Sequence, residues 1–468
     1  MIHMRKLALL TIVLLFVGIA SANSLTVDFY WEPVQPTDLE EVHFYDNSTG
    51  DIIAWIWYFG DGSSSTEQNP VHKYEDNGTY LVRLVVWDKY GQMEYKEKYI
   101  TILNVPPVAN AGEDRIVNNL TVTFNASLSY DLDGYIERYI WDFGDGNSKE
   151  GKTVEHEYEE EGIYNVNLTV IDNDGAKDYD EINVTVDVTP PITNYSLNEE
   201  KKWYNTSVIV TLNATDNLAG VNATYYKIDD GDWQEYEENF SVSEEGTHKI
   251  YYYSIDNAGN VEEVKNFTIK IDYAPPVTNY SINATYGNNG WIVSKAKITL
   301  NATDNLAGIN KTYYKLDDGD WQEYTKPFNF SAEGTHKIYY YSIDNAGNVE
   351  EVKNFTIKID TKAPTAKLNE PQEGYIYIAG RKLMPTLFGN TFIIGKFTAE
   401  ADASDDTSGI DYVEFILNGQ ILWKDYVAPY SVALPQEFPF SLNKLKVVAY
   451  DKAGNKVETE EISYIKIL

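Results

Sequence analysis

The residues whose type and spacing could do chemistry here are aspartates at the ends of alternating apolar runs. Asp216 follows the run Val208 to Ala214, and Asp256 follows Lys249 to Ile255; the pair recurs farther along the chain as Asp304 and Asp344. A related set, Asp131, Asp133, Asp172 and Asp174, lies nearer the N-terminus. If the two runs are the second and sixth strands of a two-sheet sandwich, the loops that follow them open at the same pole. Asp216 then meets Asp256, and Asp304 meets Asp344. The connector entering that pole brings Asp187 or Asp272 as well. Converging carboxylates repel one another unless they are protonated, paired or bound to a cation, and hard oxygen ligands suit Ca2+. The expectation is calcium at domain poles or junctions. The alternative is that each Asp or Asn caps its own turn through an Asx bond.

Other chemistries find little footing. The histidines beyond His3 are His43, His72, His156, His248 and His336, and the last four form two pairs at matching positions of repeated segments, as fold-serving residues do. Neither a His-Glu-x-x-His, a Gly-x-Ser-x-Gly nor a phosphate loop is present. With 72 acidic residues, close carboxylate pairs are unavoidable and identify no glycosidase site. The reading is therefore of a chain that is not an enzyme. Zero cysteines exclude disulfides and thiolate metal sites. A formal net charge of −35 disfavours nucleic acid and anionic lipid as partners.

The elements that must position the aspartates are strands. Apolar residues recur at period two almost everywhere, with turn residues between short runs, a pattern of sandwiches or barrels. The fold class expected is all-β, tandem immunoglobulin-like sandwiches in an extended rod. Proline steps at Pro106-Pro107, Pro190-Pro191, Pro275-Pro276 and Pro364 mark the connectors. The predicted division is 1–22, a signal peptide (Arg5 and Lys6, an apolar run, then Ala20-Ser21-Ala22), followed by domains at 23–104, 105–188, 189–273, 274–361 and 362–468. Export and cleavage leave no membrane insertion.

Two repeat types are visible. Trp57-Tyr58-Phe59-Gly60-Asp61-Gly62 returns as Trp141-Asp142-Phe143-Gly144-Asp145-Gly146, each followed by a Gly-x-Tyr strand, and the second is preceded by Ser129-Tyr130-Asp131-Leu132-Asp133-Gly134. These segments resemble polycystic kidney disease (PKD) domains. The stretch Glu245 to Asp272 recurs without change as Glu333 to Asp360. This pair resembles Ig-like repeats of bacterial and archaeal surface proteins, and the C-terminal segment, with Asp406-Thr407-Ser408-Gly409, resembles a further bacterial-type Ig domain. The resemblance implies sandwich folds and extracellular adhesion or spacer roles, without an activity.

Asn-x-Ser/Thr triplets are dense, including Asn47, Asn77, Asn125, Asn167, Asn183, Asn213, Asn266, Asn301 and Asn354, and stop before the last domain. With an export signal they favour a glycoprotein of the cell surface. The 38 tyrosines include runs such as Tyr251-Tyr252-Tyr253, and alternation turns part of each run outward. The function expected is a secreted or cell-surface structural or adhesion protein contacting cell-envelope proteins or glycans. The competing reading is a polysaccharide-binding accessory module of an extracellular degradation system.

Overall fold

The computed structural model describes residues 24–436 and 439–467; the expected signal peptide lies outside them. Alternation decides the architecture. In Gly334–Asp344 the side chains of Ile338, Tyr340, Ser342 and Asp344 point inward while their neighbours are more exposed, so one face of the strand joins a core and the other meets solvent. Five such cores form, each enclosed by two sheets, and the described chain is a tandem series of β-sandwiches. Among the described residues the helical content is a single 3-10 turn, Asn288–Gly290, and no helix is long and apolar enough to cross a membrane.

In the first sandwich a three-stranded sheet (Phe29–Glu32, Val42–Asp46, Val71–His72) faces a four-stranded one ordered Ser64–Ser65, Ile52–Tyr58, Gly78–Asp88, Met93–Ile102. The second pairs Thr121–Asn125 with Thr153–Glu157 against five strands. Its edge strand Arg115–Val117 runs parallel to Lys177–Val186. The third and fourth share one plan of three plus four strands, as their near-identical sequences require. The fifth sets Thr365–Glu370, Thr398–Ser404 and Tyr430–Ala433 against a larger mixed sheet. That sheet runs Arg381–Pro385, Tyr375–Ile378, Thr391–Ile394, Ile462–Ile467, Ser441–Asp451, Ile410–Leu417, Gln420–Asp425.

The chain divides into two compact units. One comprises 24–194, 213–225 and 253–264, the other 195–212, 226–252 and 265–467, so the division passes through the third sandwich.

The repeated aromatic motifs serve these cores. Trp57 and Trp141 are fully buried, and their indole N–H groups donate to the carbonyls of Glu67 (3.0 Å) and Gly151 (3.2 Å). Asp61 and Asp145 accept the backbone N–H two residues on and hold His72 (2.6 Å) and His156 (2.7 Å). Those imidazoles stack on Phe59 and Phe143, so the copied histidines brace the turn.

Candidate metal centres at the domain junctions

The strand phase that builds each core also carries an aspartate to its end. Inward positions of Ala296–Thr303 are Ala296, Ile298 and Leu300; continuing in steps of two gives Ala302 and Asp304. The same count leads through Val208, Val210 and Leu212 to Asp216, and through Ala399, Ala401 and Ala403 to Asp405. On the facing sheet it ends at Asp172, Asp256, Asp344 and Asp451, all essentially buried. A third aspartate stands directly after the last strand of the preceding sandwich: Asp187, Asp272 or Asp360, each 0% exposed. Its N–H is fixed by a carbonyl of its own sandwich, Val117, Tyr204 or Ile292, at 2.9 Å.

Three triads result: Asp187 with Asp216 and Asp256, Asp272 with Asp304 and Asp344, Asp360 with Asp405 and Asp451. Within each, carboxylate oxygens from the three residues lie within 4.8 Å of one another. The hydrogen bonding repeats closely. The linker aspartate spans the junction, one oxygen on the N–H two residues on and the other on a loop N–H of the next domain: Ala219 (2.8 Å), Ala307 (2.8 Å) or Ser408 (3.2 Å). The second aspartate accepts two or three loop N–H groups on Oδ2. The third accepts two N–H groups on Oδ1 and an asparagine amide on Oδ2. That amide, from Asn260, Asn348 or Asn455, also donates to the carbonyl of the linker aspartate. A buried glutamate fixes the entering chain in turn: Glu350 accepts the N–H groups of Thr278 (2.7 Å) and Ser342 (3.2 Å).

Asx capping is therefore present at each of these turns, but capping alone leaves charge over. The Oδ1 atoms of Asp216 and Asp304 are buried without a hydrogen-bond partner. A buried carboxylate oxygen without a donor is costly, and among the described residues no basic side chain forms an ion pair with the three carboxylates of any triad. Burial pushes the carboxyls of Asp187, Asp272 and Asp451 up from the ordinary aspartate range. Oxygen-only donors, converging negative charge and orphaned acceptors fit a hard divalent cation such as Ca2+.

The first junction is built differently. Leu103 occupies the linker position, its N–H donating to Pro36 (2.8 Å), and supplies no carboxylate. Asp38, two residues beyond Pro36, enters in its place: it is 6% exposed, and its Oδ1 has no partner. Asp133 lies within hydrogen-bonding reach of both Asp38 and Asp131. Burial, reinforced by Asp133, raises both carboxyls to about 6. Both oxygens of Asp131 and Oδ1 of Asp133 are likewise buried and unpartnered. The linker contributes Val105 N–H to Asp133 (2.6 Å) and the Asn104 amide to Asp172 (2.7 Å).

The structure thus brings Asp216 to Asp256, Asp304 to Asp344, and Asp131 to Asp133 beside Asp172. Asp174 is exposed, and its carboxylate accepts from Asn173. Sequence reasoning missed Asp38, Asp360, Asp405 and Asp451. The alternation Ala399, Ala401, Ala403 would have selected Asp405 over its neighbour Asp406; Asp38 carries no such signal. Of the sequon asparagines, Asn47, Asn125, Asn183, Asn213, Asn266, Asn301 and Asn354 are exposed. Asn77 and Asn167 are half-buried, their amides donating to Asn104 and Glu181.

Residues 35–102 and 104–188 match the family described as the PKD domain. The first two sandwiches are therefore PKD domains, followed by Ig-like β-domains. Collagenase ColA of Bacillus cereus is 37% identical over 82 residues, which is 17% of this chain and 8% of that protein. Collagenase ColA of Clostridium perfringens is 25% identical over 300 residues, 62% of this chain and 24% of that protein. The crystal structure of the PKD1 domain of the Vibrio cholerae metalloprotease PrtV is 27% identical, covering 17% of this chain and 96% of that domain, with a TM-score of 0.16. The chain spans less than a quarter of the length of both collagenases.

Proposed function

We propose that this chain is a non-enzymatic extracellular structural or adhesion protein in which Ca2+ locks each sandwich to the next. The observation that carries the reading is the recurrence of three or more carboxylates at every junction, contributed from both sides of it, with buried oxygens left unpartnered at the first three. A cation bridging them ties consecutive domains together in a chain that has no cysteine for disulfides. The likeness of part of the chain to collagenases supports an accessory role outside the cell. Exposed sequon asparagines on outward strand positions support a glycosylated surface, presented to envelope proteins or glycans.

The test is calorimetric titration of Ca2+ into chelator-treated protein. One equivalent per junction is expected, with a raised melting point, because a ligand selective for the native state stabilises it by mass action. No binding heat and an unchanged melt would sink the reading.

A second reading rests on a different observation. In the fourth sandwich Tyr313 stacks on Tyr341 (5.3 Å) and Trp321 meets Tyr341 edge-on (4.7 Å), with Trp321 38% exposed, a surface on which a sugar ring could lie. Retention on insoluble polysaccharide, lost in Trp321→Ala, would favour it.

A further inference from the structure

The two PKD sandwiches share their strand registers, so each is a control for the other. Tyr58 pairs with Arg83 and Arg83 with Glu97 in the first, as Asp142 pairs with Asn167 and Asn167 with Glu181 in the second. Inward positions agree: Val82, Leu84 and Val86 match Val166, Leu168 and Val170, all buried. Outward positions do not. Where the second domain has Asp142, Asn165, Thr169, Lys177 and Asn183, the first has Tyr58, Leu81, Val85, Met93 and Tyr99.

A sheet with one face in water ordinarily alternates to polar residues on that face, and the second domain shows that this fold accommodates them. Its face also holds the sequon asparagines Asn167 and Asn183, whose places Arg83 and Tyr99 take in the first domain. Tyr58, Met93, Tyr95 and Tyr99 are 46%, 53%, 56% and 69% exposed there. Along the outward positions of Ile52–Tyr58, Gly78–Asp88 and Met93–Ile102 the charged residues are Arg83 and Glu97, and they pair with each other (Nε to Oε1, 2.6 Å). In a chain of net charge −35 this face is neutral.

From this we infer that the outward face of the first sandwich is an interface between two copies of this chain. The copies pack sheet to sheet about a two-fold axis parallel to the strands, midway between Gly78–Asp88 and Met93–Ile102. Residues that pair across these two strands then meet between copies: Leu81 with Tyr99, Arg83 with Glu97, Val85 with Tyr95, Trp87 with Met93. Long side chains of one strand oppose short ones of the other, Val85 being 8% exposed between its taller neighbours. Arg83 and Glu97 exchange partners across the axis, so no charge is buried unpaired.

Aligned packing of this kind is how β-sheets meet inside a sandwich. With ~200 Å2 for each tyrosine, the face offers ~500 Å2 on each copy and ~1,000 Å2 in the pair, the low end of specific protein contacts and enough for weak, reversible association. Neutrality matters because the rest of the chain repels its own copy, and Arg83 with Glu97 presents to a second copy the pair it would itself accept. A polysaccharide fits less well: its hydroxyls need polar partners, and the central strand offers Leu81 and Val85.

The experiment is sedimentation equilibrium of the whole chain. A monomer–dimer equilibrium with Kd of ~10–100 μM is expected, weakened at least ~10-fold in Tyr95→Glu/Tyr99→Glu. Both tyrosines lie outside the core, so this variant should keep the parent melting curve. Arg83→Glu and Glu97→Arg should each weaken the dimer, and an equimolar mixture of the two should associate again, because the opposite charges then meet only between copies. A charge pair that served one copy alone would not be repaired by mixing. A monomer at all concentrations up to ~1 mM overturns the inference, as do unchanged association in the tyrosine variant and a mixture that fails to recover. Retention on insoluble polysaccharide, lost in the tyrosine variant of a chain that stays monomeric, overturns it in favour of a glycan-binding face.

Discussion

Replacing Asp304 by asparagine should raise the melting point of the metal-free protein and lower that of the calcium-loaded protein. Two unit charges 4.8 Å apart, the outer limit within the Asp272, Asp304 and Asp344 triad, repel by ~3.5 kcal/mol at an effective dielectric constant of ~20. Three such pairs make ~10 kcal/mol, of which the substitution removes two pairs, or ~7 kcal/mol gross. The surrounding N–H donors already offset part of this, so the net gain without metal should be ~1–3 kcal/mol. The turn survives the change: Leu306 and Gly308 donate to a single oxygen, Oδ2, which the amide oxygen can replace. The new NH2 group then occupies the place of the buried, unpartnered Oδ1 and can donate to the neighbouring carboxylates. In calcium at ~100 times Kd the wild type gains ~2.7 kcal/mol per site, and the variant forfeits most of it. For a domain of this size 1 kcal/mol moves Tm by ~4–8 °C, so both shifts are readable by differential scanning calorimetry in chelator and in calcium. A variant that melts lower by the same amount in both buffers would refute the reasoning and leave Asp304 as a turn cap.

At the first junction, Asp38→Asn should remove one equivalent from the calorimetric calcium stoichiometry and leave the remainder. Asp38 and Asp131 have folded-state carboxyls at about 6, above the ordinary aspartate value of 3.8, so folding favours their protonated forms. Metal-free protein should therefore lose stability as pH rises from about 4 through 6, and calcium should abolish that loss; melts in chelator at about pH 4.5 and 7.5 read it out. Gly144→Ala should destabilise the second domain by ~2–3 kcal/mol in urea titration, because φ is +75° and a Cβ would lie 2.5 Å from the Asn165 carbonyl. Gly146→Ala, at φ +92° with open space around it, should cost only ~1 kcal/mol. Expressed in a glycosylating host, the chain should carry glycans at Asn213, Asn266, Asn301 and Asn354 by mass spectrometry, with Asn77 unmodified because its amide is engaged by Asn104.

Period-two alternation, the Trp-x-Phe-Gly-Asp-Gly turns and the unchanged repeat were legible because strand phase and turn conformation are local properties of the chain. They sufficed for a tandem all-β architecture and for the pairs Asp216 with Asp256 and Asp304 with Asp344. Each of those aspartates extends an inward series that must end at a pole. The triad partners Asp187 and Asp272 followed from the connector's position. What the sequence could not decide depends on segments far apart meeting in space. Asp38 replaces the carboxylate that Leu103 lacks because a loop preceding the second strand folds back against the next domain's Asp133. Asp405, not Asp406, joins Asp360 and Asp451 because register selects one of two adjacent aspartates. The apolar runs around Ile376 and Phe392 could have been core on both sides; only the pairing of five strands shows that one of their faces is left in water.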